Sequence, residues 1–118
     1  MDVIAGILQV LLGLAFIGAG TTKLMGIQMQ VENFDRWRLP QSFRPIVGIV
    51  EIIGAIGMLV GLLVPVIGLL AALWLSATMV GALFTHARIK DSVSNYAPAA
   101  VLLTLSVIVL ILRASLMA

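Results

Sequence analysis

The chain has no cysteine, a single histidine and few charges: only 10% of its 118 residues are Asp, Glu, Lys or Arg. The missing thiols exclude disulfide exchange, thiolate catalysis and iron–sulfur ligation by this chain. One histidine, His86, cannot build a multi-histidine metal site, so no metal is expected. Any redox centre must be carried by a partner or by a bound organic cofactor. The net charge of +2 is small, and the basic residues stand between apolar runs. That pattern suits membrane orientation and argues against nucleic-acid binding.

What fills the chain instead is apolar: 62% of the residues are hydrophobic and the mean hydropathy is +1.21. A soluble fold of this size has too little interior to hide so many apolar side chains. A spanning helix needs about 20 mostly apolar residues. Four such spans can be placed, at about 3–24, 44–63, 65–86 and 97–113. A turn near Gly61 to Pro65 divides an apolar run too long for one crossing, and Pro65 suits the first turn of span three. Ser94 or Asn95 can cap span four, with Pro98 in its first turn. The first run opens with Asp2 and not with basic residues, so it reads as a retained helix rather than a signal peptide. An all-α, four-helix transmembrane bundle forming one domain is expected, with an amphipathic loop between helices 1 and 2.

Lys23, Arg36, Arg38 and Arg44 border the first loop, and Arg88 and Lys90 lie between spans three and four. The positive-inside rule puts both loops in the cytoplasm and both termini outside. The first loop, MQVENFDRWRLPQSFR, mixes Val31, Phe34 and Trp37 with charges. It reads either as a short helix lying in the interface, with Val31, Phe34 and Arg38 near one another, or as a loop anchored by one tryptophan.

The anomaly is Glu51, set in the apolar run IVGIVEIIGAIG. A charge at mid-bilayer costs about 2.5–3.5 kcal/mol on insertion scales. Glu51 must therefore face protein, take up a proton or have a partner. Gly48, Gly54, Gly57 and Gly61 share its side of the helix, and Gly6, Gly13 and Gly20 form a ridge on span one. Small residues mark close helix approach, so Glu51 is expected on a packed face. Lys23 is the partner candidate. Side chains lean towards the helix N-terminus, which sends Lys23 inward and Glu51 outward on antiparallel helices. Alternatively Lys23 snorkels to the headgroups. His86 ends span three on the same side. Lys23, Glu51 and His86 thus read either as a ligand or proton-relay site or as a structural clasp with an interfacial histidine. Phe34, Arg36, Trp37, Arg38 and Pro40 are the candidate lid over them. Met25, Met29, Met58 and Met79 read as packing residues.

FIGAGTTKLMG (16–26), WRLP (37–40), VGIVEIIGAIGMLVG (47–61) and THARIKD (85–91) together resemble the DoxX-like membrane family. The resemblance runs from about Phe16 to Asp91 and carries over Lys23, Pro40, Glu51 and His86 as marked positions. The family commonly has a glycine shortly before the proline, where this chain has Trp37, Arg38 and Leu39. The resemblance implies a membrane subunit or docking module of an oxidoreductase complex, including quinone-linked thiosulfate oxidation, or a membrane assembly factor. No cofactor intrinsic to the chain is implied, and a quinone is the candidate ligand. Two other readings stay open: a proton-coupled exporter, and a structural or assembly protein without chemistry of its own. Partners on these readings are the lipid bilayer, a soluble or membrane redox protein and further copies of the chain in a homo-oligomer.

Overall fold

The computed structural model describes residues 2–117. Among them are five helices: α1 (Asp2–Met25), α2 (Gln28–Arg36), α3 (Phe43–Val60), α4 (Pro65–Arg88) and α5 (Val93–Met117). Four are long and apolar enough to cross a membrane, and α2 is the short exception. The protein is a multi-pass membrane protein. The long helices close into a ring in which α1 packs on α3, α3 on α4, α4 on α5 and α5 back on α1. Leu12, Phe16, Met58, Leu75 and Val109 fill its middle.

Span two is shorter than expected, because α3 ends at Val60 and residues 61–64 turn directly into Pro65 at the start of α4. Gly61 makes that turn tight: a Cβ there would lie 2.3 Å from the Gly68 Cα. Span four starts earlier than expected, at Val93, so Ser94 and Asn95 lie inside the helix and do not cap it. Pro98 consequently falls beyond the first turn, where its missing N–H leaves a gap in the helical ladder.

The glycines divide between two partners. Gly20 and Gly48 lie back to back, so that a Cβ on Gly20 would come within 2.6 Å of Gly48 O. Gly13 meets Leu59 and Ala55, and Gly6 approaches Leu62, so α1 and α3 run antiparallel in close contact. Gly54, Gly57 and Gly61, however, face Leu75, Ala71 and Gly68 of α4. The single glycine face expected for span two is really two faces: Gly48 is turned to α1, Gly54 and Gly57 to α4, and Gly61 meets Gly68 of α4 and the end of the Gln9 side chain of α1.

Helices α1, α2 and α4 end alike. Gly26, Arg38 and Lys90 have φ of 66°, 59° and 53°. The next residue's N–H then bonds back across the reversal: Ile27 to Thr22 O, Leu39 to Phe34 O and Asp91 to His86 O. This left-handed reversal satisfies the last carbonyls of a helix and normally uses glycine. Arg38 is therefore the reversing residue after α2 and not a member of that helix with Val31 and Phe34.

Candidate functional site

The Gly20–Gly48 contact sets the first pair. With no side chain on Gly48, whose Cβ would lie 3.1 Å from the Lys23 Cβ, Lys23 has room to turn inward one helical turn further on. Its Nζ lies 2.7 Å from Glu51 Oε1. Both residues are buried, at 8% and 3% exposure. The contact is an ion pair more than an aligned hydrogen bond, since no donor of good geometry reaches Glu51 Oε1. The end of α1 is held from outside as well: the Arg44 guanidinium donates to Lys23 O, and Gln30 Nε2 donates to Thr22 Oγ1 at 2.9 Å.

A second cluster forms around Asp91. The reversal at Lys90 folds the chain back so that Asp91 Oδ2 lies 2.7 Å from His86 Nδ1. Arg36 of α2 donates to the same oxygen at 3.1 Å. Asn95 Nδ2 and the Ser92 N–H donate to Asp91 Oδ1, at 2.7 and 3.1 Å. Desolvation pushes the Asp91 carboxyl up, but the hydrogen bonds from Asn95, His86 and Ser92 and the charge of Arg36 outweigh it. They hold the carboxyl well below the usual carboxylate range. A carboxylate only accepts, so His86 Nδ1 donates, and Nε2 is left as the ring nitrogen for another partner.

Trp37 packs on the second cluster. It packs edge-on to Phe34, at 5.0 Å between ring centroids, and edge-on to His86 at 5.2 Å. Its carbonyl accepts from Arg88, and Arg36 lies 5.8 Å from the ring centre. Its Nε1 is buried without a hydrogen-bonding partner. The ring is thus turned into the bundle. Arg36, a candidate lid residue, pairs with Asp91.

Beneath these residues lies a cavity of about 770 Å³. Lys23, Glu51, His86, Phe34, Arg36 and Trp37 line it, whereas Arg38 and Pro40 do not. Pro40 shapes the turn into α3, where its carbonyl accepts from the Phe43 N–H at 3.0 Å. The cavity lies between α1, α3 and α4. The first turns of α5 also wall it, through Ser94, Asn95, Pro98 and Ala99.

The chain matches the DoxX-like family over residues 7–109. It belongs to the DoxX-like family. No curated protein and no solved structure matches it. The family match extends past the motifs on both sides, into α1 and α5. It takes in Gln9, which belongs to a second polar layer, while Arg113 of that layer lies beyond the match. At the hairpin end Gln9 is fully buried, its Nε2 donating to Met58 O at 2.9 Å and its Oε1 accepting from Arg113 Nε. Arg113 is itself buried at 6% exposure. Two signals could have exposed these residues. Gln9 is a polar side chain inside a charge-free span, where such groups serve contacts between helices. Asp91 follows His86 closely enough to meet it if the helix stops between them.

Proposed function

We propose that this DoxX-like protein holds a lipophilic, quinone-like ligand in the cavity below α2, as a membrane subunit or docking module of an oxidoreductase complex. The observation that carries the reading is Trp37 Nε1, a buried donor with no partner beside a cavity of about 770 Å³. A buried donor left unpaired costs about 1–3 kcal/mol, which a ligand acceptor would relieve. A quinone carbonyl is such an acceptor. Lys23 supplies a second donor, and His86, oriented by Asp91, supplies Nε2 for a ligand hydroxyl or its proton. An apolar pocket with a few convergent polar groups is the usual form of a small-molecule site. A quinone, when bound, would supply the two-electron chemistry that a chain without cysteine does not. Electrons would arrive through a partner protein.

On the same reading α2 lies at the bilayer surface, the loops containing α2 and Asp91 face the cytoplasm, and both termini lie outside. The basic residues around those loops support that orientation. A second reading has its own observation: the Lys23–Glu51 pair is closed and buried, as a structural clasp would be. The same closure weighs against cation export, which needs an uncommitted carboxylate.

Binding of a soluble benzoquinone analogue to the purified protein separates the two. The wild type should bind, Trp37→Phe should bind more weakly while keeping its ring, and His86→Ala should bind more weakly still. If the wild type binds no analogue, or both variants bind as well as it does, the structural reading takes the place of the ligand site.

A further inference from the structure

Helices α3 and α4 are pinned together over their hairpin half. Gly57 lies against Ala71, Gly54 against Leu75, and Trp74 Nε1 donates to Val50 O at 2.9 Å. Past that link the cavity comes between them. Val47 and Val50 border it from α3, and Thr78 and Gly81 border it from α4. Gly81 is exposed, and a Cβ there would meet nothing within 4 Å. The other glycines of this helix pair, Gly48, Gly54, Gly57, Gly61 and Gly68, all meet a neighbour within 4 Å, so the open space at Gly81 is a local feature of the cavity's edge.

The loop end, by contrast, is closed. Asp91 ties α4 to Arg36 of α2 and to Asn95 of α5. Arg88 holds the Trp37 carbonyl, and the Trp37 ring rests on His86. Entry there would require several hydrogen bonds to break together. Entry between α3 and α4 needs no such break: the one bond across them there is Trp74 Nε1 to Val50 O at the inner end of the slot, and Val47, Thr78 and Gly81 present none across the gap. Both helices are membrane spans, so their outward edges face acyl chains. From Phe43 to Val50 the border descends about 10 Å along α3, at about 1.5 Å per residue. That depth passes the headgroup level and reaches the hydrocarbon.

We propose that the cavity opens sideways into the bilayer between α3 and α4, that its ligand enters and leaves through this slot, and that Gly81 is the threshold. The inference rests on the ligand-site reading and narrows the ligand class. The ligand is a membrane-dissolved molecule with a flat head that accepts hydrogen bonds and passes Gly81. Its apolar tail stays in the slot between Val47 and Thr78. A polar solute arriving from water has no route of this kind.

The absence of cysteine makes the test direct, because Gly81→Cys introduces the sole thiol of the chain. The probe is a decyl-substituted benzoquinone added to the protein in liposomes, with binding followed by quenching of tryptophan fluorescence. Trp37 lines the cavity and reports occupancy. Unmodified Gly81→Cys should bind as the wild type does. Attaching a benzyl group to its thiol should slow association and dissociation alike, by about tenfold or more, while Kd changes by less than about threefold, because a gate alters the barrier and not the end states. Unchanged rates after labelling would overturn the lateral route. So would a loss of affinity carried by association alone or by faster dissociation, which would place Gly81 inside the binding site. Failure of the wild type to bind any benzoquinone is a different result: it removes the ligand reading itself, and the slot with it.

Discussion

Removing one member of the Lys23–Glu51 pair leaves the other buried, and the two removals are not equivalent. Lys23 stands near the end of α1 and has a long stem, so after Glu51→Ala its ammonium can straighten towards the headgroups. Glu51 lies deeper and has no such reach. Lys23→Ala should cost about 3–5 kcal/mol at neutral pH, the usual loss for a stranded buried charge, and Glu51→Ala should cost less. The gap should narrow towards acid, as Glu51 takes up a proton in the Lys23→Ala variant. Thermal unfolding in detergent, followed by circular dichroism between pH 5 and 9, measures this, and equal stability throughout would contradict it. Asp91 gives a pH signature of its own. Its carboxyl is held below the ordinary range, so its contribution is complete above the unfolded value and fades as pH falls through the folded one. The difference in Tm between wild type and Asp91→Asn should be flat from neutral pH down to about 5 and shrink below about 4. A difference that instead grows in acid would contradict the assignment of Asp91 as an acceptor hub.

The helices themselves carry two kinds of constraint. Where they cross, α1 and α3 approach so closely that Gly20→Ala must push against Gly48 O at 2.6 Å. The backbone cannot yield there as a flexible side chain would, and overpacking of this kind costs about 1–3 kcal/mol. Gly81→Ala, with open space at its Cβ, should fall within about 0.5 kcal/mol of wild type. The same melting experiment on both variants checks the contrast. Where the helices end, Arg38 and Lys90 occupy the left-handed conformation that glycine adopts without steric cost. Arg38→Gly should therefore stabilise the protein by up to about 1 kcal/mol, since left-handed backbone costs an ordinary residue about 1–2 kcal/mol and the added glycine freedom offsets part of that gain. A drop in Tm would show that the Arg38 side chain has a compensating contact.

The whole molecule is a ring of four spans with its charged and amide groups layered at its two ends and a middle that is apolar apart from the buried hydroxyls of Ser76 and Ser106. Lys23, Glu51, His86 and Asp91 gather at the end covered by α2, and Gln9, Arg113 and the Met58 carbonyl gather at the hairpin end. Gln9 and Lys23 are about 20 Å apart along α1 and share no hydrogen-bonding partner. Their substitutions should be independent. The double variant Gln9→Leu, Lys23→Ala should lose the sum of the single losses to within about 0.5 kcal/mol. A larger coupling would mean that the two layers communicate through the packed middle of the bundle.

The sequence by itself determined the membrane class, the four spans, the hairpin at Gly61 to Pro65 and Lys23 as the candidate partner of Glu51, with the structure choosing that pairing over a snorkelling Lys23. Hydrophobic run length, proline chemistry and the lean of helical side chains are local properties, and an antiparallel crossing carries them into space without further information. The resemblance to the DoxX-like family was legible in four short motifs, and the family match extends it to residues 7–109. What periodicity cannot say is which neighbour a face will meet. It grouped the span-two glycines on one side, but only the closed ring divides them between α1 and α4. Asp91 became a hub because Lys90 reverses the chain and brings α2, α4 and α5 to one carboxylate. Gln9 and Arg113 lie at opposite ends of the sequence and meet because α5 returns to α1. The cavity, too, belongs to the tertiary structure, since it is the space left where helices pinned at one end by glycine stand apart at the other.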